Sequence, residues 1–403
     1  MSVGLITSAY PTQPNNLNGI SFAQAITRLM PNGTAPLFGL TSLLKDETAA
    51  NIEHGYFSKT MIFPSATLNA AVADGAATSF VVINHTDINI GDMLMVASTQ
   101  ETVLVTGFAD ATHITVVRGV GTVAAAAIGN GVVLYSIGNA FEEGSTRPSA
   151  VNIVASRYVN YTQIFRNSWA VTKTAAAIPQ IAGSGFVSES KQDCAALHAM
   201  AIEKALFFGQ KFMGTGPNGQ PLHTQEGIIA RVTAAAPGNI VTLGATTNWT
   251  QLEAALDPTL QTVTDPKGGN IRTMFVGGTA RRVIHNIARL NSTYQITSSE
   301  TSWGLQIDTI RTPRGTFEMI EHPLFNAYGA AAPWAKMAVV ADLNAFSLAY
   351  LRKTSDAAYN AAGALVDNGV DAEGGTLTTE LTSTIKNPSA FGILYNFTAA
   401  AAG

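Results

Sequence analysis

The chain has 403 residues, of which 12% are Asp, Glu, Lys or Arg and 46% are hydrophobic, with a formal net charge of -4. Soluble proteins carry about 25% charged residues, so this chain has too few charges to cover a large isolated surface, and burial against other copies is the expectation. The mild net charge without any clustered basic face excludes a dedicated nucleic-acid reader, and the single Cys194 excludes a disulfide framework or a Cys-based metal site.

Residues 1–50 read as an arm. Pro11, Pro14, Asn15, Asn16 and Gly19 mark an irregular lead-in, and Ser21 to Met30 follows as a short amphipathic helix with Phe22, Ile26, Leu29 and Met30 on one side. Ala35 to Leu44 is too apolar for a free loop and should dock, on its own core or on a neighbouring subunit.

Tyr56 to Pro64 is a candidate strand anchored by Phe57, Met61 and Phe63. Its natural partner is the long run Arg157 to Lys173, rich in β-branched and aromatic residues and free of Gly and Pro. Between them, Val72 to Gly138 reads as a compact β unit. Short apolar runs at Phe80–Ile83, Met93–Val96, Thr102–Val105, Ile114–Val117 and Val132–Tyr135 alternate with turn signals such as Asp74-Gly75, Gly91-Asp92 and Gly119. Such spacing predicts a small barrel or sandwich inserted into the tip of a hairpin.

Ser190 with Asp193 reads as a capping-box start, and Cys194, Leu197, Ala201, Ala205, Phe208 and Phe212 recur at three- and four-residue steps. The expected spine helix therefore runs over Ser190 to Met213, about 36 Å at 1.5 Å per residue. Gly183-Ser184-Gly185 before it and Gly214 to Gly219 after it are the expected flexible joints.

Further on, the pattern predicts helices at Trp249–Leu256 and Thr279–Leu290, and strands at Arg272–Val276, Ile307–Ile310, Thr316–Ile320 and Met337–Ala341: a mixed sheet with helices over it. Leu377 to Lys386 alternates as a half-buried strand. Asn387-Pro388 breaks it, Phe391 to Phe397 resumes as an apolar strand, and an Ala-rich tail should fray.

No motif carries a reaction. Gly214-Thr-Gly-Pro-Asn-Gly219 matches G-x-G-x-x-G but follows a helix, where a dinucleotide loop must follow a strand and open a helix. Gly183-Ser184-Gly185 lacks the outer glycines of a nucleophile elbow. His223 and Glu226 have ligand-like spacing but no second ligand pair nearby, and read as a surface turn. Glu142-Glu143 reads as loop charge able to meet basic residues of another subunit. Arg281, Arg282 and Arg289 lie on one helix, with Arg282 and Arg289 on one face, read as solvated charge or an intersubunit ion pair. No catalytic residue, cofactor site or metal site is expected.

The segments Ala35-Pro-Leu-Phe-Gly-Leu-Thr-Ser-Leu-Leu-Lys45, Tyr158-Val-Asn-Tyr-Thr-Gln-Ile-Phe-Arg166 with Val171-Thr-Lys-Thr-Ala175, Asn139-Ala-Phe-Glu-Glu-Gly-Ser145 and Asn387-Pro-Ser-Ala-Phe-Gly-Ile-Leu-Tyr395, in this order of elements, resemble the major capsid proteins of tailed bacteriophages. The resemblance is to the Hong Kong 97-type α+β fold, in the branch with a β-rich insertion in its extended loop. It implies an amino-terminal arm at 1–50, an extended loop at 51–173 carrying the insert 72–138, a peripheral domain from 174–221 and 351–403, and an axial domain at 222–350. The implied function is self-assembly, as hexamers and pentamers, into an icosahedral shell around double-stranded DNA whose sequence is not read. Scaffolding, portal and decoration proteins are the further partners it brings, and it names no cofactor.

Expected subunit contacts are Phe38, Phe57, Glu142, Glu143, Arg147, Arg157 and Arg282. No apolar run reaches the 18 or so residues of a membrane span, so no membrane partner is expected. The start Met1 to Pro11 shows no positively charged leader, so the cytosol of the producing cell is the expected place, and the resemblance implies a virion capsid assembled in the host cytoplasm. The alternatives are an encapsulin-like compartment with protein cargo and, more remotely, an enzyme with a sugar-binding β insert.

Overall fold

The computed structural model describes residues 35–41, 46–59, 63–148, 153–179, 185–262, 270–291, 297–300, 306–359 and 369–401. The helix expected over Ser21 to Met30, and Gly183 and Ser184 of the expected hinge, lie outside these residues. The chain divides into two compact units, one of residues 1–56 and 158–403, the other of residues 57–157.

The smaller unit is a barrel. All five apolar runs form strands, with a further one at Ser65–Thr67 that the sequence hid because Ser-Ala-Thr is too short and too polar to show a period. The six strands run in the order Ser65–Thr67, Val133–Asn139, Asp92–Val96, Thr102–Asp110, His113–Val117, Ser79–Val81. The first and last meet through a bridge between Leu68 and Val82, so the sheet closes and leaves no free edge. Strict alternation aims Leu94 and Val96, Val103 and Val105, and Ile114 and Val116 inward with Phe80 and Leu134. The barrel thus starts seven residues before the expected Val72.

The larger unit is built on two multi-stranded sheets. A mixed seven-stranded sheet runs Ile240–Thr242, Gly392–Tyr395, Ala338–Ala341, Ile271–Val276, Thr316–Glu321, Gln306–Arg311, Thr297–Glu300. Its central strands are apolar at successive positions because both faces are covered. Met274, Val276, Ala338 and Val340 face the helices Trp249–Leu256 and Gly278–Leu290. Phe275, Val339, Ala341 and Ile393 join the opposite core, made with the spine helix. The Trp249 helix starts in a capping box between Asn248 and Gln251, as a polar pair three residues apart allows.

The second sheet has four strands in the order Glu47–Thr48, Phe346–Tyr359, Ala372–Ile385, Gln163–Thr172. Here the expected half-buried strand is corrected: Thr379 to Ile385 are all buried. Polar positions can enter this core because each hydroxyl or carboxylate named next finds a partner. Thr379 meets His198, Glu380 accepts from Thr162, and Ser383 donates to the carbonyl of Glu226. The run from Arg157 is two strands and not one. Ser156–Tyr161 pairs with Glu53–Ser58, and Gln163–Thr172 pairs with Ala372–Ile385, with Thr162 as the joint.

The spine helix spans Phe186–Phe208, four residues earlier at its start than expected and five shorter at its end. Its N-cap is Gly185, so Ser190 and Asp193 are interior and form no capping box. It stops where the returning chain crosses it. A Cβ on Gly227 would stand 2.8 Å from the Ala205 carbonyl oxygen and from the Gly209 nitrogen, so only glycine allows the crossing. Cys194, His198, Ile202, Glu203, Leu206 and Phe207 form the buried stripe, which rotates the expected one: Leu197 is exposed, and Phe212 sits in a hairpin strand. That hairpin, Phe212–Thr215 with Pro221–Thr224, absorbs the expected joint Gly214 to Gly219 into a turn between paired strands. At the carboxyl end, Ala399 and Ala401 are tied to Thr247, so the tail through residue 401 is held and not frayed.

Candidate assembly surfaces

The amino-terminal arm is anchored by one buried carboxylate. Ala35 to Leu44 contains a helix at Pro36–Thr41, which docks on its own chain. The Glu203 oxygens accept from the backbone N–H groups of Leu37 at 2.8 Å and Phe38 at 2.7 Å, while His322 Nε2 lies 2.8 Å away. Both Glu203 and His322 are fully buried, and Phe207 and Phe325 pack on the imidazole. Phe38 itself is half-buried against this core.

A second constellation grips the root of the hairpin that leads to the barrel. The Tyr158 hydroxyl donates to the Glu226 carboxylate, and the Arg231 guanidinium lies 3.6 Å from the centre of the Tyr158 ring. Burial, then the Glu226 carboxylate, push the Tyr158 phenol well above its usual range. Tyr56 donates to the Ile385 carbonyl at 2.6 Å, and Asn160 donates to Ser383 while accepting from the Glu226 amide. His223 is corrected from a surface residue: it is buried on a strand with Nδ1 against the Thr162 carbonyl. Its neighbour Glu226 accepts from Tyr158, so the two side chains serve separate structural contacts.

The predicted contact residues of the smaller unit are on its surface. Phe57 is 71% exposed, and Glu142, Glu143, Arg147 and Arg157 are exposed as well. Arg147 lines a groove with Asn89, Phe108, Asn139 and Phe141. Inside the barrel, sequence reasoning missed the pair Glu101 and Arg118, which meet through two hydrogen bonds of 2.8 and 2.6 Å. Burial alone would raise the Glu101 pKa. The hydrogen bonds from Arg118, Gly119 and Ala126 outweigh it, and the carboxyl sits below its usual value. Nothing around Glu101 or Arg118 in the sequence signals their meeting, because they belong to different strand–loop junctions.

On the helix Gly278–Leu290 the three arginines separate. Arg281 is corrected from a solvated charge: it reaches Asp308 at 2.7 Å and Glu321 at 2.9 Å, with His285 also on Asp308. Arg282 and Arg289 stay exposed and, as their spacing predicted, line one groove together with Asn286 and the tail residues Thr398 to Ala400. Among the described residues no group of three His, Cys, Asp or Glu side chains could hold a metal ion, and no helix is long and apolar enough to cross a membrane.

The described residues thus give limbs anchored by buried polar clusters, an inserted closed barrel, and charged and apolar side chains left exposed on both units, and comparison with known proteins puts the chain in a class of shell-building proteins. The sequence model described as SU10 major capsid protein matches residues 6–398. The major capsid protein of Pseudomonas phage PaMx41 is 39% identical over 400 residues, covering 94% of this chain and 93% of that one. The chain belongs to the SU10 major capsid protein family. Among solved structures it is similar to the capsid of a native GTA particle, with a TM-score of 0.48 and 9% identity over 98% of this chain and 100% of the other. It is also similar to a chain of Mycobacterium phage Adephagia, with a TM-score of 0.46 and 10% identity over 99% of each. The encapsulin SrpI from Synechococcus elongatus aligns with 62% of this chain and 80% of its own, at a TM-score of 0.43 and 7% identity.

Proposed function

We propose that this capsid subunit assembles from pentamers and hexamers into an icosahedral head around double-stranded DNA, in the cytoplasm of the host, without catalysing a reaction. The observation that carries the reading is the family match along nearly the whole chain, joined to limbs that are anchored at their roots. In this reading residues 1–50 are the arm, 51–173 the extended loop, 174–221 with 351–403 the peripheral domain and 222–350 the axial domain. Phe57, Glu142, Glu143, Arg147, Arg157 and Arg282 supply contacts between copies, while Phe38 holds the arm to its own body. A closed shell needs head-to-tail contacts that form rings, and many weak contacts per subunit give strong binding in sum while letting misplaced copies leave.

Expression of the chain, purification of the particles and electron microscopy with a nuclease-protection assay test this. Closed shells are expected, and those from infected cells should protect double-stranded DNA. Shells that hold protein cargo and no nucleic acid would replace the head with an encapsulin-like compartment. Scaffolding, portal and decoration proteins, if they belong to the system, should co-purify with particles from infected cells.

A further inference from the structure

Two adjacent acidic residues occur at two places in this sequence, Asp46-Glu47 and Glu142-Glu143. The first pair is neutralised within its own chain, by Lys353 for Asp46 and by Lys386 for Glu47, which His54 also reaches. The second has no ion pair among the described residues and is exposed. It is also held in shape. The Ser145 amide donates to the Glu142 carbonyl, closing a four-residue turn whose third residue, Gly144, has a φ of +77° that a side chain would resist. Two carboxylates therefore project from neighbouring positions of a tight turn on the smaller unit.

The larger unit carries a matching cation site. Arg281 is absorbed by Asp308 and Glu321, whereas Arg282 and Arg289 meet no carboxylate among the described residues. They stand two helical turns apart, about 10 Å along the axis at 1.5 Å per residue, with Asn286 between them on the same face. The opposite wall is the tail at Thr398 to Ala400, fixed through Thr247, and the groove they enclose has a volume of about 480 Å³. A guanidinium at each end and an amide in the middle form a donor row suited to two carboxylates.

We infer that the Glu142–Glu143 turn of one subunit seats in the Arg282–Asn286–Arg289 groove of a neighbouring subunit. This rests on the shell-forming reading above and names two faces that meet in it. In a chain with so few charges, an unneutralised acidic pair and an unneutralised basic pair are complementary marks on a surface otherwise neutral, and such marks set register and partner more than strength.

Charge reversal tests the contact. One variant carries Glu142→Lys with Glu143→Lys, the other Arg282→Glu with Arg289→Glu. All four side chains are exposed and have no ionic partner among the described residues of their own chain, so each variant should keep the melting temperature of the parent subunit. Each alone should lower the yield of closed shells by about tenfold or more, because the lost contact repeats at every subunit. Combining all four substitutions in one chain should restore shells, since the lysine turn of every copy then meets the glutamate groove of its neighbour. Wild-type yields from either single variant would overturn the pairing. So would failure of the four-substitution chain to restore shells, and so would a melting temperature of the dissociated subunit that falls in the two variants and recovers in the combined one, which would place the contact within a subunit. Normal shells from the groove variant with poor DNA filling would assign the arginines to the packaged polyanion and also overturn it. Wild-type shells in the same preparation establish the shell reading separately, so its failure and the failure of this contact are told apart.

Discussion

His198 is the residue on which the spine helix and the four-stranded sheet agree. Its Nδ1 lies 2.9 Å from the Asn167 amide oxygen and its Nε2 lies 2.8 Å from the Thr379 hydroxyl, which continues to Thr354 at 2.7 Å. Three strands are thereby tied to one helix position. Burial lowers the pKa of this imidazole below its ordinary value. The sign follows: the unfolded chain takes up a proton near pH 6.5, the folded chain only at lower pH, so folding stability falls as pH drops below about 6.5 and through the depressed folded pKa. The urea midpoint of the dissociated subunit should therefore drop between pH 7.5 and 5.5, and His198→Gln should remove that share of the drop. An equal drop in the variant would assign the effect to other histidines. Polar groups this deep are invisible to an apolar count. The stripe drawn through Leu197 and Phe212 was rotated from the true one because His198 and Glu203, which a hydropathy pattern places outside, are core members with partners. Cys194, by contrast, was legible as a small buried residue, and burial raises its thiol pKa and keeps it inert.

At the scale of elements, the barrel is the clearest unit. Its core of residues shares no member with the two cores of the larger unit, and its closed sheet needs no neighbour to cover an edge. Its strands were readable as short apolar runs between turn signals, although burial alternates along them, while Ser65–Thr67 is too short and polar to show such a run. Of the seven-stranded sheet, the strands at Ile271–Val276, Gln306–Arg311, Thr316–Glu321, Ala338–Ala341 and Gly392–Tyr395 were readable, whereas Ile240–Thr242, of only three residues, and the wholly polar Thr297–Glu300 were missed. The fourteen-residue strand Phe346–Tyr359 was missed: its first half is buried and its second half is exposed, so no single period holds along it. A fragment of residues 63–141 should fold alone and unfold cooperatively, as followed by circular dichroism. Within it the Glu101 and Arg118 side chains are nearly free of solvent, where breaking an ion pair costs about 3–5 kcal/mol against about 0.2–1 kcal/mol for an exposed pair. Glu101→Gln should thus lower the fragment's stability by about 3 kcal/mol or more. An unfolded wild-type fragment, or a change below about 1 kcal/mol, would show that the barrel leans on the rest of the chain or that the pair is solvated.

For the whole molecule the question is where a 403-residue chain with 12% charged residues hides its apolar surface. Part of it is not hidden within the subunit. Phe57 is 71% exposed, Phe63 84% and Val154 79%, and Phe212, Met213 and Leu222 stand out together on one hairpin. Scattered apolar side chains are ordinary on any surface, but large ones grouped on a two-stranded ribbon are surface available to neighbouring copies. Each large side chain buried on assembly contributes about 1.5–3 kcal/mol, and charge complementarity of the kind argued for Glu142 and Arg282 then selects among the ways of burying them. Dissociated subunits should accordingly bind a fluorescent apolar dye, and the signal should fall as shells form, in proportion to the subunit fraction assembled. Polar substitution of Phe57 and Phe212 together should lower the dye signal of the free subunit and slow shell formation, with little change in subunit stability, because neither side chain belongs to a core. Shells that bind as much dye per subunit as free chains would mean that these side chains face solvent in the finished particle, and the low charge of the chain would then have some cause other than its neighbours.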